Sequence, residues 1–209
     1  MDVEQYRLWA SATEYVAGSG ERPVRFYLDV DGTILPDNPE LPNLSPVELT
    51  YIRQVPGVYP WEWAEYSGMY MVDLEVMGLI SEISHRDDVD IIWLTGWKSS
   101  APATFDEHFN IRSAGWLDWD VKLSDYNHSF KRVSVHEDQE LAPSKFVWAD
   151  DLATSFYWVH EDEDEFPDMY HAEHVRHRIP KDRYLLLNPD SRVGVTADDL
   201  RRVKEWLDV

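Results

Sequence analysis

The stretch 23–35, PVRFYLDVDGTIL, constrains the fold of this 209-residue chain more than any other. Its apolar run 24–30 is rich in β-branched and aromatic residues, which predicts a buried strand. The strand ends in two acids, Asp29 and Asp31, which repel each other and resist burial unless a cation or a reaction requires them. Ligands of open α/β sheets bind at the carboxyl ends of the strands. The stretch therefore predicts an α/β protein with a polar site at this edge.

The residues after the acids favour an anion at the same place. Gly32 lets the chain turn sharply and lets backbone N–H groups approach an anion. Thr33 adds a hydroxyl donor, so both residues are candidates for binding phosphate. The alternative is an ordinary Asp-Gly turn at a strand end, which is common.

The sequence DVDGT closely resembles the first signature of the haloacid dehalogenase superfamily of phosphotransferases. The resemblance implies that Asp29 is the nucleophile, which attacks phosphorus and forms an aspartyl-phosphate. It also implies that Asp31 is the general acid, which protonates the leaving oxygen and then activates water. Superfamily members without an acid at this second position tend to be dehalogenases or other non-phosphatase types. Asp31 therefore favours phosphate hydrolysis.

Two later strand ends follow the order of that superfamily's signatures. The run 89–95, VDIIWLT, predicts a second buried strand, and the resemblance assigns Thr95, with Gly96 beside it, to the phosphoryl oxygens. The run 145–149, KFVWA, predicts another strand. It leads directly into an acidic pair that resembles the superfamily's fourth signature, which completes a Mg²⁺ site.

Mg²⁺ prefers octahedral oxygen ligands and binds a few carboxylates together with water and substrate phosphate. The resemblance implies that Asp29, Asp150 and a backbone carbonyl at Val30 or Asp31 supply protein oxygens. Asp151 would bind directly or through a water molecule. Mg²⁺ is therefore the expected cofactor.

The superfamily's third signature is a Lys that neutralises the nucleophile and the phosphoryl group. Lys122, Lys131 and Lys145 compete for this role. We favour Lys131, because it opens an apparent helix before the next strand and so points toward the same sheet edge. Lys145 begins that strand and is expected at its far end.

The resemblance covers about residues 23–209 and implies a Rossmann-like, three-layer α/β/α fold. Its central sheet would have five mostly parallel strands, with little or no cap. We expect one domain over 1–209, with an N-terminal helical extension at 1–20 and an acidic, His-rich surface excursion at 160–180. The segment between Asp31 and Thr95 is too short for a large cap.

We expect the insertion 36–68 to be a loop or flap. Five prolines in 36–58 predict an irregular surface loop, and the aromatic run 58–67 predicts a short hairpin or flap over the site. Helical spacing of apolar residues returns from about 69 to 84.

The remaining chain alternates between helical and strand patterns. Pro102 suits the first turn of a helix that runs to about His108. A short strand is predicted within 111–119 and a fifth strand at 183–188. Thr196 is expected to cap the last helix.

Composition restricts the partners. The net charge of −21 disfavours broad, non-specific binding to nucleic acid or to anionic membranes. The chain has no Cys and no apolar stretch of transmembrane length, and acids stand at its start where a signal peptide carries bases. We therefore expect a cytoplasmic protein.

The expected activity is Mg²⁺-dependent hydrolysis of phosphomonoesters. The chain looks like small capless superfamily members from actinobacteria and their phages, some of them fused to RNA-repair modules. A nucleotide or a nucleic-acid phosphate end is thus a candidate substrate, and an oligomeric partner is a candidate lid. The alternatives are a catalytically silent binding module and a phosphotransferase that uses an alcohol acceptor.

The His spacing at 171–177 and the many Trp residues each allow a structural and a functional interpretation. His171, His174 and His177 suggest a second metal site, but their spacing drifts around a helix, which favours a solvated surface. The Trp residues inside predicted strands are expected in the core. Trp61, Trp63 and Trp97 are candidates for substrate contact.

Overall fold

The computed structural model describes residues 24–54, 63–117, 131, 134–135, 138–139, 143–151, 153 and 181–209. The expected helical extension at 1–20 and the excursion at 160–180, with its three His residues, lie outside these ranges. Lys122 and Trp61 lie outside them too. Among the described residues, no helix combines the length and the apolar character needed to cross a membrane.

Seven strands and three α-helices have bounds within the described residues, and residues 131, 134–135 and 138–139 are helical as well. The strands are β1 (Val24–Leu28), β2 (Ser45–Gln54), β3 (Trp63–Val72), β4 (Val89–Trp93), β5 (Ser113–Trp116), β6 (Lys145–Ala149) and β7 (Tyr184–Leu187). The helices are α1 (Leu74–Ser84), α2 (Glu107–Phe109), which continues a π-helical turn at Pro102–Asp106, and α3 (Ala197–Leu207). A 3₁₀ turn at Lys181–Arg183 precedes β7.

A five-stranded sheet in the order β5-β4-β1-β6-β7 forms the centre of the molecule. Every neighbouring pair is parallel. The predicted α/β class with five parallel strands is confirmed. β4 and β5 lie on one side of β1, whereas β6 and β7 lie on the other. The order in which strands are added to the sheet therefore reverses between β1 and β6. Ligands of doubly wound sheets bind at such a switch point.

Side chains of β1 alternate between two hydrophobic cores, one on each face of the sheet. Phe26 and Leu28 pack in the core that contains α1 and α3. Tyr27 packs on the opposite face with Val135 and Trp148. Burial on both faces explains why apolar side chains occupy the consecutive positions 26–28 of this strand instead of alternating with exposed polar ones. The layered arrangement is compatible with a Rossmann-like fold.

The segment 36–58 contains regular structure, so the predicted irregular loop is wrong for residues 45–54, which form β2. β2 pairs antiparallel with β3, with Pro46 opposite Met71. Pro is tolerated there because an edge strand leaves its N–H side unpaired. Leu49 is buried while Glu48 is exposed, and this alternation is the strand signal that the prolines obscured.

The helix expected from about 69 begins at Leu74 instead. Residues 69–72 belong to β3, and Asp73 caps α1 by accepting hydrogen bonds from the N–H groups of Glu75 and Val76. Such a cap fixes where the strand ends and the helix begins. At the other end of the chain, the expected capping of α3 by Thr196 is confirmed.

Candidate active site

Strand register brings the predicted site residues to one edge of the sheet. Leu28, the last residue of β1, lies beside Trp93 of β4 and Ala149 of β6. The Asp29 N–H donates to the Ala149 carbonyl at 3.0 Å, which locks the two strand ends together. Asp150 follows Ala149 directly, so Asp29 and Asp150 meet at the switch point between β1 and β6.

Three carboxylates form a cluster at this edge. Asp29, Asp150 and Asp151 each offer one oxygen, and these oxygens all lie within 4.8 Å of one another. Asp29 and Asp150 are buried, and Asp151 is half-buried. Closely spaced carboxylate oxygens are the donors that Mg²⁺ selects. The donor set therefore fits the predicted cofactor.

A backbone carbonyl of the turn was expected to join the carboxylates. The Val30 carbonyl accepts the N–H groups of Thr33, Ile34 and Leu35, so it is engaged in closing the turn. Of the two carbonyls that the sequence offered, that of Asp31 is therefore the better candidate.

Lys131 is the lysine that reaches the cluster. Its Nζ lies 2.7 Å from Asp29 Oδ2 and 2.9 Å from Asp150 Oδ2, and its side chain is only 12% exposed. Lys145 is exposed and lies beside Val24, at the opposite end of β1 from Asp29. Of the two candidate lysines that the structure describes, Lys131 is therefore the one that lies at the carboxylate cluster, and its predicted role stays a prediction.

Burial and mutual repulsion shape the charge of the cluster. Burial, and then the Asp150 carboxylate, raise the pKa of Asp29 to about 7, although Lys131 opposes both effects. Burial works against the charge of Lys131, but the two carboxylates raise its pKa above the usual value. Burial, and then Asp150, raise the pKa of Asp151. Because the carboxylates are incompletely neutralised, a further cation is favoured here.

Asp31 is set apart from the three clustered carboxylates. Its side chain is exposed, and both of its oxygens accept the indole Nε1–H of Trp97, at 3.1 and 3.2 Å. Its side chain thus faces a different group from Asp29, although only Val30 separates them in the chain. This geometry suits proton transfer better than metal coordination.

Gly32 and Thr33 lie in the turn beside Asp151. Their N–H groups donate to the Leu35 and Val30 carbonyls within the turn, and their predicted role in binding phosphate stays a prediction. The Thr33 hydroxyl accepts the N–H of Asp151 at 3.2 Å. Gly32 has φ +70°, and a Cβ at that position would lie 2.8 Å from Asp151 Oδ2. Both residues therefore place Asp151.

Thr95 and Gly96 follow β4 at the same edge of the sheet. Thr95 is fully buried, and its hydroxyl accepts the N–H of Trp97 at 3.4 Å. Gly96 is exposed, and an added Cβ would meet nothing within 4 Å. The predicted roles of these residues toward phosphoryl oxygens stay predictions.

A buried polar network that holds the Lys131 helix was missed at the sequence level. Asp138 accepts hydrogen bonds from Arg25 and from the Tyr27 hydroxyl, and Gln139 donates to the same hydroxyl at 2.9 Å. The described helical residues 131, 134–135 and 138–139 share one face at intervals of three and four. No local pattern could reveal the network, because Asp138 lies 113 and 111 positions from Arg25 and Tyr27 in the chain.

Comparisons with family models, with curated proteins and with solved structures gave no match.

Proposed function

We propose that this protein is a Mg²⁺-dependent phosphomonoester hydrolase that acts through an aspartyl-phosphate on Asp29. The observation that carries the proposal is the bridge from the Lys131 ammonium to Asp29 and Asp150, inside a cluster of three carboxylates at the switch point. A buried acid beside a fixed cation and further carboxylates is the arrangement expected of a nucleophile that must meet an anionic substrate.

In the first step, an Asp29 carboxylate oxygen attacks phosphorus and the bond from phosphorus to the leaving oxygen breaks. Asp31 gives its proton to that oxygen, so the product leaves as a neutral alcohol. In the second step, water attacks the same phosphorus and Asp31 takes a proton from it. The bond from phosphorus to Asp29 then breaks, which releases phosphate and restores the carboxylate.

Lys131 offsets the repulsion between the Asp29 carboxylate and the phosphoryl group, because its ammonium lies 2.7 Å from the attacking residue. Asp29, Asp150, Asp151 and the Asp31 carbonyl would hold Mg²⁺, which when bound supplies positive charge for the phosphoryl oxygens. A cation bound there would also favour the ionised form of Asp29, whose pKa burial and the Asp150 carboxylate raise to about 7.

The substrate class within this proposal is a nucleotide or a nucleic-acid phosphate end, and only the motif resemblance supports it. The test is phosphate release with Mg²⁺ and with EDTA, on an aryl phosphate, nucleoside monophosphates, sugar phosphates and 3′- or 5′-phosphorylated oligonucleotides. We expect turnover that requires the metal and favours one member of the panel.

The decisive variant is Asp29→Asn, which removes the nucleophile while preserving size. We expect activity to fall by at least about 10⁴-fold while circular dichroism shows that the variant stays folded at the assay temperature. The matched control is Asp182→Asn, because Asp182 is exposed on the 3₁₀ turn outside the site. Retained activity in Asp29→Asn would refute the assignment.

Two outcomes would point to other functions. Phosphate release only when an alcohol acceptor is added indicates a phosphotransferase. No turnover on any substrate, from a folded protein that binds Mg²⁺, favours a catalytically silent binding module.

A further inference from the structure

The general acid of the proposed mechanism sits in an exposed position that needs support. Asp31 follows β1 on the turn, and its carboxylate is solvent-accessible. An exposed Asp side chain exchanges freely among its rotamers unless a hydrogen bond selects one. Proton transfer requires the carboxylate to stay within about 2.6–3.2 Å of the leaving oxygen. Some neighbouring group must therefore orient Asp31.

The Trp97 indole makes the contact that provides this orientation. Its Nε1–H lies 3.2 Å from Oδ1 and 3.1 Å from Oδ2 of Asp31. An indole N–H donates a hydrogen bond, has no acceptor lone pair and does not transfer its proton. It therefore leaves the proton chemistry to Asp31, and one carboxyl oxygen can still accept the indole N–H when the other carries the proton.

Trp97 is itself held by a cluster of rings. Its ring centroid lies 4.8 Å from that of Tyr51, 5.8 Å from that of Tyr70 and 5.4 Å from that of Phe105. Tyr51 and Tyr70 come from the β2–β3 hairpin, and Phe105 comes from the π-helical turn. The hairpin is anchored in turn, because the Ser100 hydroxyl donates to the Ile52 carbonyl.

We propose that Trp97 is a positioning residue for Asp31, holding its carboxylate toward the leaving oxygen of the substrate. This inference rests on the proposed phosphatase function and deepens it. It also gives the β2–β3 hairpin a function, which is to support the indole that orients the general acid. Trp97 acts through Asp31 and has no role in bond making itself.

The test exploits the leaving group. An alkoxide needs a proton to depart, whereas 4-nitrophenolate departs as a stable anion. The ratio kcat/KM includes only steps up to loss of the leaving group, so hydrolysis of the intermediate does not affect it. In Trp97→Phe we expect kcat/KM to fall about 10- to 100-fold on an alkyl phosphate and less than about threefold on 4-nitrophenyl phosphate.

The matched control is Trp206→Phe, because Trp206 is a half-buried indole on α3 that packs against the core. It should leave the ratio between the two substrates unchanged. Equal losses on both substrates in Trp97→Phe would overturn the positioning role of Trp97 but would leave the proposed phosphatase function standing. Absence of turnover in the wild-type protein would instead overturn the proposed function and, with it, this role.

A second measurement needs no activity. The indole N–H signal of Trp97 in a ¹⁵N-labelled protein is identified by its loss in Trp97→Phe, or in Trp97→Tyr if the first variant does not fold. We expect this signal to move upfield in Asp31→Ala, because the hydrogen bond is lost, and to stay in place in Asp182→Asn. An unmoved signal in Asp31→Ala would refute the contact and the proposal.

Discussion

Replacement of Lys131 by Met should destabilise the metal-free protein strongly. The ammonium is paired with Asp29 and Asp150 at 2.7 and 2.9 Å, and the three side chains are 12%, 5% and 0% exposed. Removing one partner of a buried ion pair costs about 3–5 kcal/mol, because the remaining charge stays buried. In a chain of this length each kcal/mol shifts Tm by about 2–4 °C. The expected loss in EDTA is thus about 6–20 °C.

Mg²⁺ should reverse part of this loss. A bound cation supplies positive charge to the same carboxylates, so adding Mg²⁺ should raise Tm more in Lys131→Met than in the wild-type protein. Activity should still fall about 10²- to 10³-fold, as when one donor to a developing anion is removed. The measurements are thermal unfolding in EDTA and in saturating Mg²⁺, and phosphate release.

Lys145→Met is the matched control. Lys145 is exposed at the opposite end of the sheet, where surface substitutions change stability by about 0.5 kcal/mol or less. Tm of this variant should stay within about 2 °C of wild type. Tm values for Lys131→Met and Lys145→Met that agree within this range would refute the reasoning about the cluster. A Mg²⁺ effect of equal size in both variants would refute the part that concerns the cation.

Three further predictions concern pH, the turn and the buried network. Burial raises the pKa of Asp29 from 3.8 to about 7, so the folded protein binds a proton that the unfolded chain has lost. Stability in EDTA should therefore fall as pH rises through that window, and the fall should be smaller in Asp29→Asn when urea unfolding is compared. Gly32→Ala places a Cβ against Asp151 at a positive φ, so calorimetry should show weaker Mg²⁺ binding, whereas Gly78→Ala, with open space around it, should bind Mg²⁺ normally. Asp138→Ala leaves the Arg25 guanidinium buried without this partner and should lower the free energy of unfolding by about 3–5 kcal/mol; a loss below about 1 kcal/mol would contradict the role of the network.

Local sequence patterns determined the elements that stand at the site. The apolar runs that form β1, β4 and β6 are buried on both faces of the sheet, so their composition identifies them without further context. The acids of β1 and β6 follow directly after these strands. Because parallel strands end at one edge of a sheet, the sequence alone predicted that Asp29, Thr95 and Asp150 lie at the same edge. Thr196 could likewise be predicted as a cap, because capping depends on neighbouring residues alone.

Contacts between segments that lie far apart in the chain were decided only by the tertiary structure. The proline content predicted a loop at 45–54, but this segment forms β2. It does so because pairing with β3 outweighs the local propensity of its residues. Of the two described candidate lysines, Lys131 is the one whose ammonium contacts two carboxylates of the cluster. The Trp97 indole N–H donates a hydrogen bond to Asp31. Such contacts depend on how helices and hairpins pack against the sheet edge, and no local spacing encodes that packing. The strand-end sequences alone supply the acids. Only the fold brings the Lys131 ammonium to Asp29 and Asp150 and the Trp97 indole N–H to Asp31.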